Sequence, residues 1–135
     1  MDASAMITTE SATLPLRSGS ALLVEDEPLQ LDLMVELVMN LGFKPMVFAT
    51  ADDALRFIQD GREDVRLLLT DFYTPGEITG GDLAARAVAL LPGLPAIVVS
   101  GKEDVSDKVG SEITFMSKPW SAQALSQLIL RLTLV

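Results

Sequence analysis

Four short apolar runs in this chain each end in a polar side chain, and no other feature restricts the fold as strongly. Ala21-Leu22-Leu23-Val24 leads into Glu25 and Asp26, and Leu67-Leu68-Leu69-Thr70 leads into Asp71. Ile97-Val98-Val99 leads into Ser100, and Ile113-Thr114-Phe115-Met116-Ser117 leads into Lys118. If these strand-length runs are parallel members of one sheet, their carboxyl ends share one edge. Open α/β folds bind ligands at that edge. Carboxylates, a hydroxyl and an ammonium would then converge on one cleft.

Helical spacing fills the intervals. A helix is expected from Pro28, a favourable first-turn residue, to near Gly42, with Leu31, Met34, Val35, Val38 and Leu41 as its stripe. Lys44 to Phe48 reads as a second strand. Thr50 suits the N-cap of a helix through Asp60 that buries Ala54, Leu55 and Ile58, and Gly61 suits its stop. Val65 to Thr70 is the third strand, and Phe72 to Gly81, with Pro75 and three glycines, is a loop. Asp82 to Leu91 returns to helical spacing through Leu83, Ala87, Leu90 and Leu91, and Pro92-Gly93 ends it. Lys102 to Gly110 offers a short polar helix. Ser121 caps a last helix whose buried face is Leu125, Leu128, Ile129 and Leu132. The alternation describes an α/β fold, a doubly wound parallel sheet of five strands with helices on both faces. Residues 1–19, rich in Ser, Thr and Ala without a period, are expected to be a mobile tail, and 20–135 a single domain.

Composition narrows the chemistry. At 135 residues with 49% hydrophobic content, the chain is one domain with room for a core. Its longest apolar runs fall well short of the roughly 20 residues that span a bilayer, and its first residues lack a secretory pattern. Neither a membrane partner nor a leader is expected, and a cytoplasmic protein is the simplest outcome. The absence of cysteine excludes disulfides and thiolate chemistry, and the absence of histidine removes the usual base and zinc ligand. A net charge of −9 repels phosphate backbones, so no nucleic-acid partner is expected.

Glu25, Asp26 and Asp71 gathered at one edge would repel one another unless a cation neutralised them. All-oxygen ligands favour a hard ion, and Mg2+ commonly takes one or two carboxylates plus phosphate and water. Taken alone, Glu25-Asp26 also suits a helix N-terminus, where acids complement the dipole. Lys118 could balance the acids or bind phosphate as a point charge, and the following Pro119 allows an unusual peptide geometry, cis included. Ser100-Gly101 adds a hydroxyl donor. Together these groups describe a pocket for Mg2+ and one phosphoryl group, with a carboxylate as acceptor. Phe72 and Trp120 read as packing residues.

The residues that carry this pocket resemble the receiver domain of bacterial two-component response regulators, over roughly 20–135. The matching pieces are Leu23-Val24-Glu25-Asp26-Glu27-Pro28, Leu69-Thr70-Asp71 with Pro75, Val99-Ser100-Gly101, and Ser117-Lys118-Pro119-Trp120. The stretch Pro75-Gly76 to Gly80-Gly81, one residue longer than the commonest receiver loop, is most similar to receivers of hybrid histidine kinases. The resemblance implies the flavodoxin-like strand order 2-1-3-4-5. It also implies that Asp71 is the phospho-acceptor, fed by a histidine kinase or histidine phosphotransfer protein. Asp26, Asp71 and the Tyr73 backbone carbonyl would hold Mg2+, with Glu25 helping through water. Lys118 would contact the phosphoryl oxygens, Ser100 would swing in to bond them, and the rotamer of Phe115 would follow Ser100.

On the same basis the chain is expected to be a single-domain response regulator, a phospho-acceptor switch and not an enzyme with an external substrate. It would signal or relay through an unidentified downstream protein. A homodimer through the helix after Ser100 and the last helix is also open. The interval from Ser100 to Lys118 is about one helical turn short for the family, so the helix after Ser100 is expected to be brief. Thr74 replaces the usual aliphatic residue before Pro75, and the bulky Tyr73 is expected to slow attack by water on a phosphoryl group. The alternative is a receiver-fold interaction module that signals without phosphate, which would not need Glu25, Asp26, Asp71, Ser100 and Lys118 together. A haloacid dehalogenase-like hydrolase would place a second acid two residues after the nucleophile, where this chain has Tyr73.

Overall fold

The computed structural model describes residues 17–61, 63–101 and 112–133. Within them the chain runs β1 (Ser20–Val24), α1 (Pro28–Asn40), β2 (Lys44–Phe48), α2 (Ala51–Asp60), β3 (Val65–Asp71), α3 (Gly80–Leu90), β4 (Ala96–Ser100), β5 (Thr114–Ser117) and α4 (Ala122–Leu132). The strands form one parallel sheet in the order β2-β1-β3-β4-β5. This is the doubly wound, flavodoxin-like arrangement expected from the sequence.

Side-chain alternation divides the core in two. Ala21, Leu23, Leu67, Leu69, Ile97 and Val99 face α1 and α4, where they pack on Met34, Leu37, Val38, Leu125, Leu128 and Ile129. Leu22, Val24, Leu68, Ala96 and Val98 face α2 and α3, against Ala54, Leu55, Ile58, Leu83, Ala84 and Ala87. Strands buried on both faces need no polar alternation, which is why β1 and β4 read as continuous apolar runs. Each fully buried leucine contributes about 1.5–3 kcal/mol relative to exposure.

Capping fixes where the helices begin. The Thr50 hydroxyl accepts from Asp53 N–H at 3.1 Å, and the Ser121 hydroxyl accepts from Ala124 N–H at 3.0 Å. Gly61 ends α2 in the left-handed region, at φ 69°. The third helix departs from expectation. It begins at Gly80, two residues ahead of the expected start at Asp82 and inside the stretch read as loop, because Thr79 and Asp82 form a reciprocal capping box. Its buried face uses Leu83, Ala84 and Ala87, whereas Leu90 is 49% exposed. In α1, Leu37 is buried though it was not assigned to the stripe, while Leu31, Val35 and Leu41 are only partly covered.

The expected helix over 102–110 lies outside the described residues, as do residues 1–16 of the expected tail. Arg17 is tied in place. Its N–H donates to Leu41 O at 2.9 Å, and its guanidinium donates to Leu130 O at 3.0 Å and Thr133 Oγ1 at 3.1 Å. Among the described residues, no helix is long and apolar enough to cross a membrane.

Candidate functional site

Parallel register brings the strand termini together. Val24 pairs with Thr70, Asp71 with Val99, and Ser100 with Ser117, so β1, β3, β4 and β5 all deliver their next residues to one edge. Glu25 and Asp71 are buried there and Asp26 is exposed; one carboxylate oxygen from each lies within 4.8 Å of the others. Lys118 Nζ, half-buried, stands 3.0 Å from Asp71 Oδ1 and 3.8 Å from Glu25 Oε1. The Lys118–Pro119 peptide is cis.

The two oxygens of Glu25 do different work. Oε2 accepts from Glu27 N–H at 3.1 Å, just ahead of α1, while Oε1 is buried without a hydrogen-bond donor. Glu25 thus sits in the acid cluster, whereas the N-cap of α1 is Glu27, whose carboxylate accepts from Gln30 N–H at 2.8 Å. Burial, with the nearby Asp71 charge, holds the Glu25 carboxyl above its ordinary range against the opposing Glu27 amide and Lys118. Burial likewise raises Asp71, although Lys118 and the Phe72 amide pull the other way. For Lys118, burial favours the neutral amine, but Asp71, Glu25 and Asp26 together outweigh it and raise its pKa. These are the marks of a carboxylate cluster undersupplied with positive charge. A hard divalent cation fits it, since three carboxylates converge and one buried oxygen lacks a donor.

The remaining residues take their places by strand position. Ser100 ends β4 and is buried, and its carbonyl accepts from Lys118 N–H at 2.8 Å. Phe115 pairs with Val98, two residues before Ser100, and packs on the α2/α3 core, so alternation puts Phe115 and Ser100 on the same face. Tyr73 follows Phe72 out of β3 and is 46% exposed, its ring edge-on to Phe72 with centroids 4.7 Å apart. Phe72 and Trp120 pack against the cores as expected. A groove of about 340 Å³ lined by Gln30, Leu33, Lys118, Pro119 and Trp120 opens beside the cluster.

Two residues behind the cluster had no role assigned from the sequence. Thr70 Oγ1 donates to Asp71 O at 2.8 Å, and Gly80 N–H donates to Phe72 O at 2.7 Å. A Cβ on Gly80 would overlap the Asp71 carbonyl oxygen. The adjacent Gly80-Gly81 pair was the available signal, since paired glycines mark a close backbone approach as well as a loop.

Fold and site together define a phospho-acceptor signalling module. The chain belongs to the response regulator receiver domain family, whose model matches residues 21–130. It is 28% identical over 104 residues to the transcriptional regulatory protein BaeR of Escherichia coli O6:H1, covering 74% of this chain and 42% of that protein. It is 29% identical over 112 residues to the transcriptional regulatory protein GlrR of Escherichia coli K12, covering 80% of this chain and 24% of that protein. The chain thus spans less than half the length of the curated relatives it matches. Among solved structures, the receiver domain of the hybrid histidine kinase CckA superposes with a TM-score of 0.72 at 26% identity, over 86% of this chain and all (100%) of that one. The signal receiver domain of an HD domain-containing protein from Pseudomonas fluorescens Pf-5 gives 0.75 at 25% identity, over 90% of each chain. Receiver domains are phospho-acceptor switches that bind Mg2+ at acidic residues and interact with histidine kinases or phosphotransfer proteins.

Proposed function

We propose that Asp71 accepts a phosphoryl group from a phosphohistidine on a histidine kinase or histidine phosphotransfer protein, and that the resulting state is read through protein contacts. The observation that carries this is the Asp71 carboxylate, seated among Glu25, Asp26 and Lys118 with the ammonium 3.0 Å from its Oδ1. One Asp71 oxygen attacks phosphorus, the P–N bond breaks, imidazole leaves, and an acyl phosphate remains. Asp26, Asp71 and the Tyr73 carbonyl would hold Mg2+, with Glu25 acting through water. When bound, the ion supplies charge neutralisation and alignment of phosphoryl oxygens, which is most of what phosphoryl transfer asks of a protein. Lys118 meets the transferred oxygens as a point charge, Ser100 supplies a hydroxyl donor, and Phe115 follows Ser100 from the neighbouring strand. Leu29 and Leu33 are exposed on α1, Leu33 lines the Trp120 groove, and the two offer apolar area to the protein that carries the phosphohistidine.

Incubation with Mg2+ and a small-molecule phosphodonor tests this directly by intact mass. Wild type should gain one phosphoryl group, and Asp71→Asn or wild type in excess chelator should gain none. Modification that persists in Asp71→Asn would exclude Asp71 as the acceptor.

A further inference from the structure

The stretch between β3 and α3 is held at both ends, and between them it is fastened to a neighbouring helix. At the ends, Phe72 N–H donates to Val99 O at 2.8 Å, and Phe72 O accepts from Gly80 N–H at 2.7 Å. Between them, Glu77 N–H donates to both carboxylate oxygens of Asp52, at 3.1 and 3.3 Å. Asp52 belongs to the first turn of α2, a different element. Gly76 makes the approach close enough: its φ is +116°, and a Cβ there would overlap an Asp52 carboxylate oxygen. The contact falls in the Gly76-Glu77 turn. Here that turn is fastened to α2.

We propose that Asp52 is a positioning residue for phosphoryl transfer: by latching the Glu77 amide it fixes the course of the β3–α3 loop, and with it the Tyr73 carbonyl offered to Mg2+. This rests on the function proposed above. Pro75, with its locked φ, removes one soft torsion between the latch and Tyr73, so displacement at Glu77 passes back along the loop. Mg2+ tolerates little departure from octahedral geometry, which makes a shifted carbonyl ligand visible as lost affinity.

Calorimetric Mg2+ titration of wild type, Asp52→Ala and Asp52→Asn tests the latch. Affinity should fall about tenfold in Asp52→Ala, the lower end of what outer-shell partners give. Asp52→Asn, whose amide oxygen still accepts from Glu77 N–H, should stay within about twofold of wild type. Amide hydrogen exchange at Glu77 should quicken in Asp52→Ala and not in Asp52→Asn. Gly76→Ala, which disturbs the contact from the loop side, should reproduce Asp52→Ala. Equal Mg2+ affinity in wild type and Asp52→Ala overturns the positioning role and leaves the site assignment standing. So does weaker binding without faster exchange at Glu77, or Asp52→Asn as weak as Asp52→Ala. A wild-type protein that binds no Mg2+ overturns both.

Discussion

Tyr73 is anchored and accessible at once. Its ring leans edge-on against buried Phe72, yet 46% of the residue meets solvent two positions beyond Asp71. On the proposed chemistry, shielding of a phosphoryl group on Asp71 by this ring predicts that Tyr73→Ala shortens the phosphoryl lifetime several-fold and that Tyr73→Phe preserves it. Equal lifetimes in all three, followed by loss of the phosphorylated mass, would rule out shielding by the ring. Placement was legible where a residue follows a strand run: Glu25, Asp26, Asp71, Ser100 and Lys118 all lie on the edge the sequence pointed to. Asp52 was not legible as a loop anchor. Its contact with Glu77 bridges 25 positions of sequence, and in a helix first turn an aspartate already has a local explanation.

Elements were readable in proportion to how locally they are determined. β1, β3 and β4 carry apolar runs because both faces are covered, and α2 has its N-cap and its left-handed stop in adjacent sequence. The start of α3 was misplaced because Gly80 and Gly81 have low helix propensity. They stand in the helix for a tertiary reason: Gly80 passes against the Asp71 carbonyl and Gly81 against the Phe72 ring. Gly80→Ala should therefore cost about 1–3 kcal/mol by overpacking, measured by urea denaturation, and should also impair phosphorylation because the displaced atoms belong to Asp71. Thr79→Ala, which removes only the cap, should cost about 1 kcal/mol and leave phosphorylation intact. If Gly80→Ala phosphorylated normally, the close approach would be structural alone.

For the molecule as a whole, the acid cluster links stability to pH and to the cation. Folding raises the pKa of Glu25 and Asp71, chiefly by burial. The stability they contribute is full below their ordinary values of 4.5 and 3.8 and is lost as pH rises through the raised folded values. The metal-free protein should accordingly lose stability from this cluster as pH rises above the ordinary carboxylate range. Mg2+ should restore it, by about 2.7 kcal/mol at a hundredfold excess over Kd. Thermal melts in chelator and in Mg2+ check this: the gain from Mg2+ should be larger at pH 7.5 than at pH 5 and small in Asp71→Asn. A gain independent of both would dissociate the cluster from the ion. One consequence of the cluster concerns its electrical balance. Three carboxylates and one ammonium leave two surplus negative charges, which a divalent ion cancels. On the proposed chemistry, the single charge of Asp71 gives way to a phosphoryl group bearing close to two. A neutral pocket thus becomes anionic when loaded, and the difference falls to neutral dipoles within reach. The hydroxyl of Ser100 stands at the terminus of β4, so an added charge on one strand becomes an inward pull on the next.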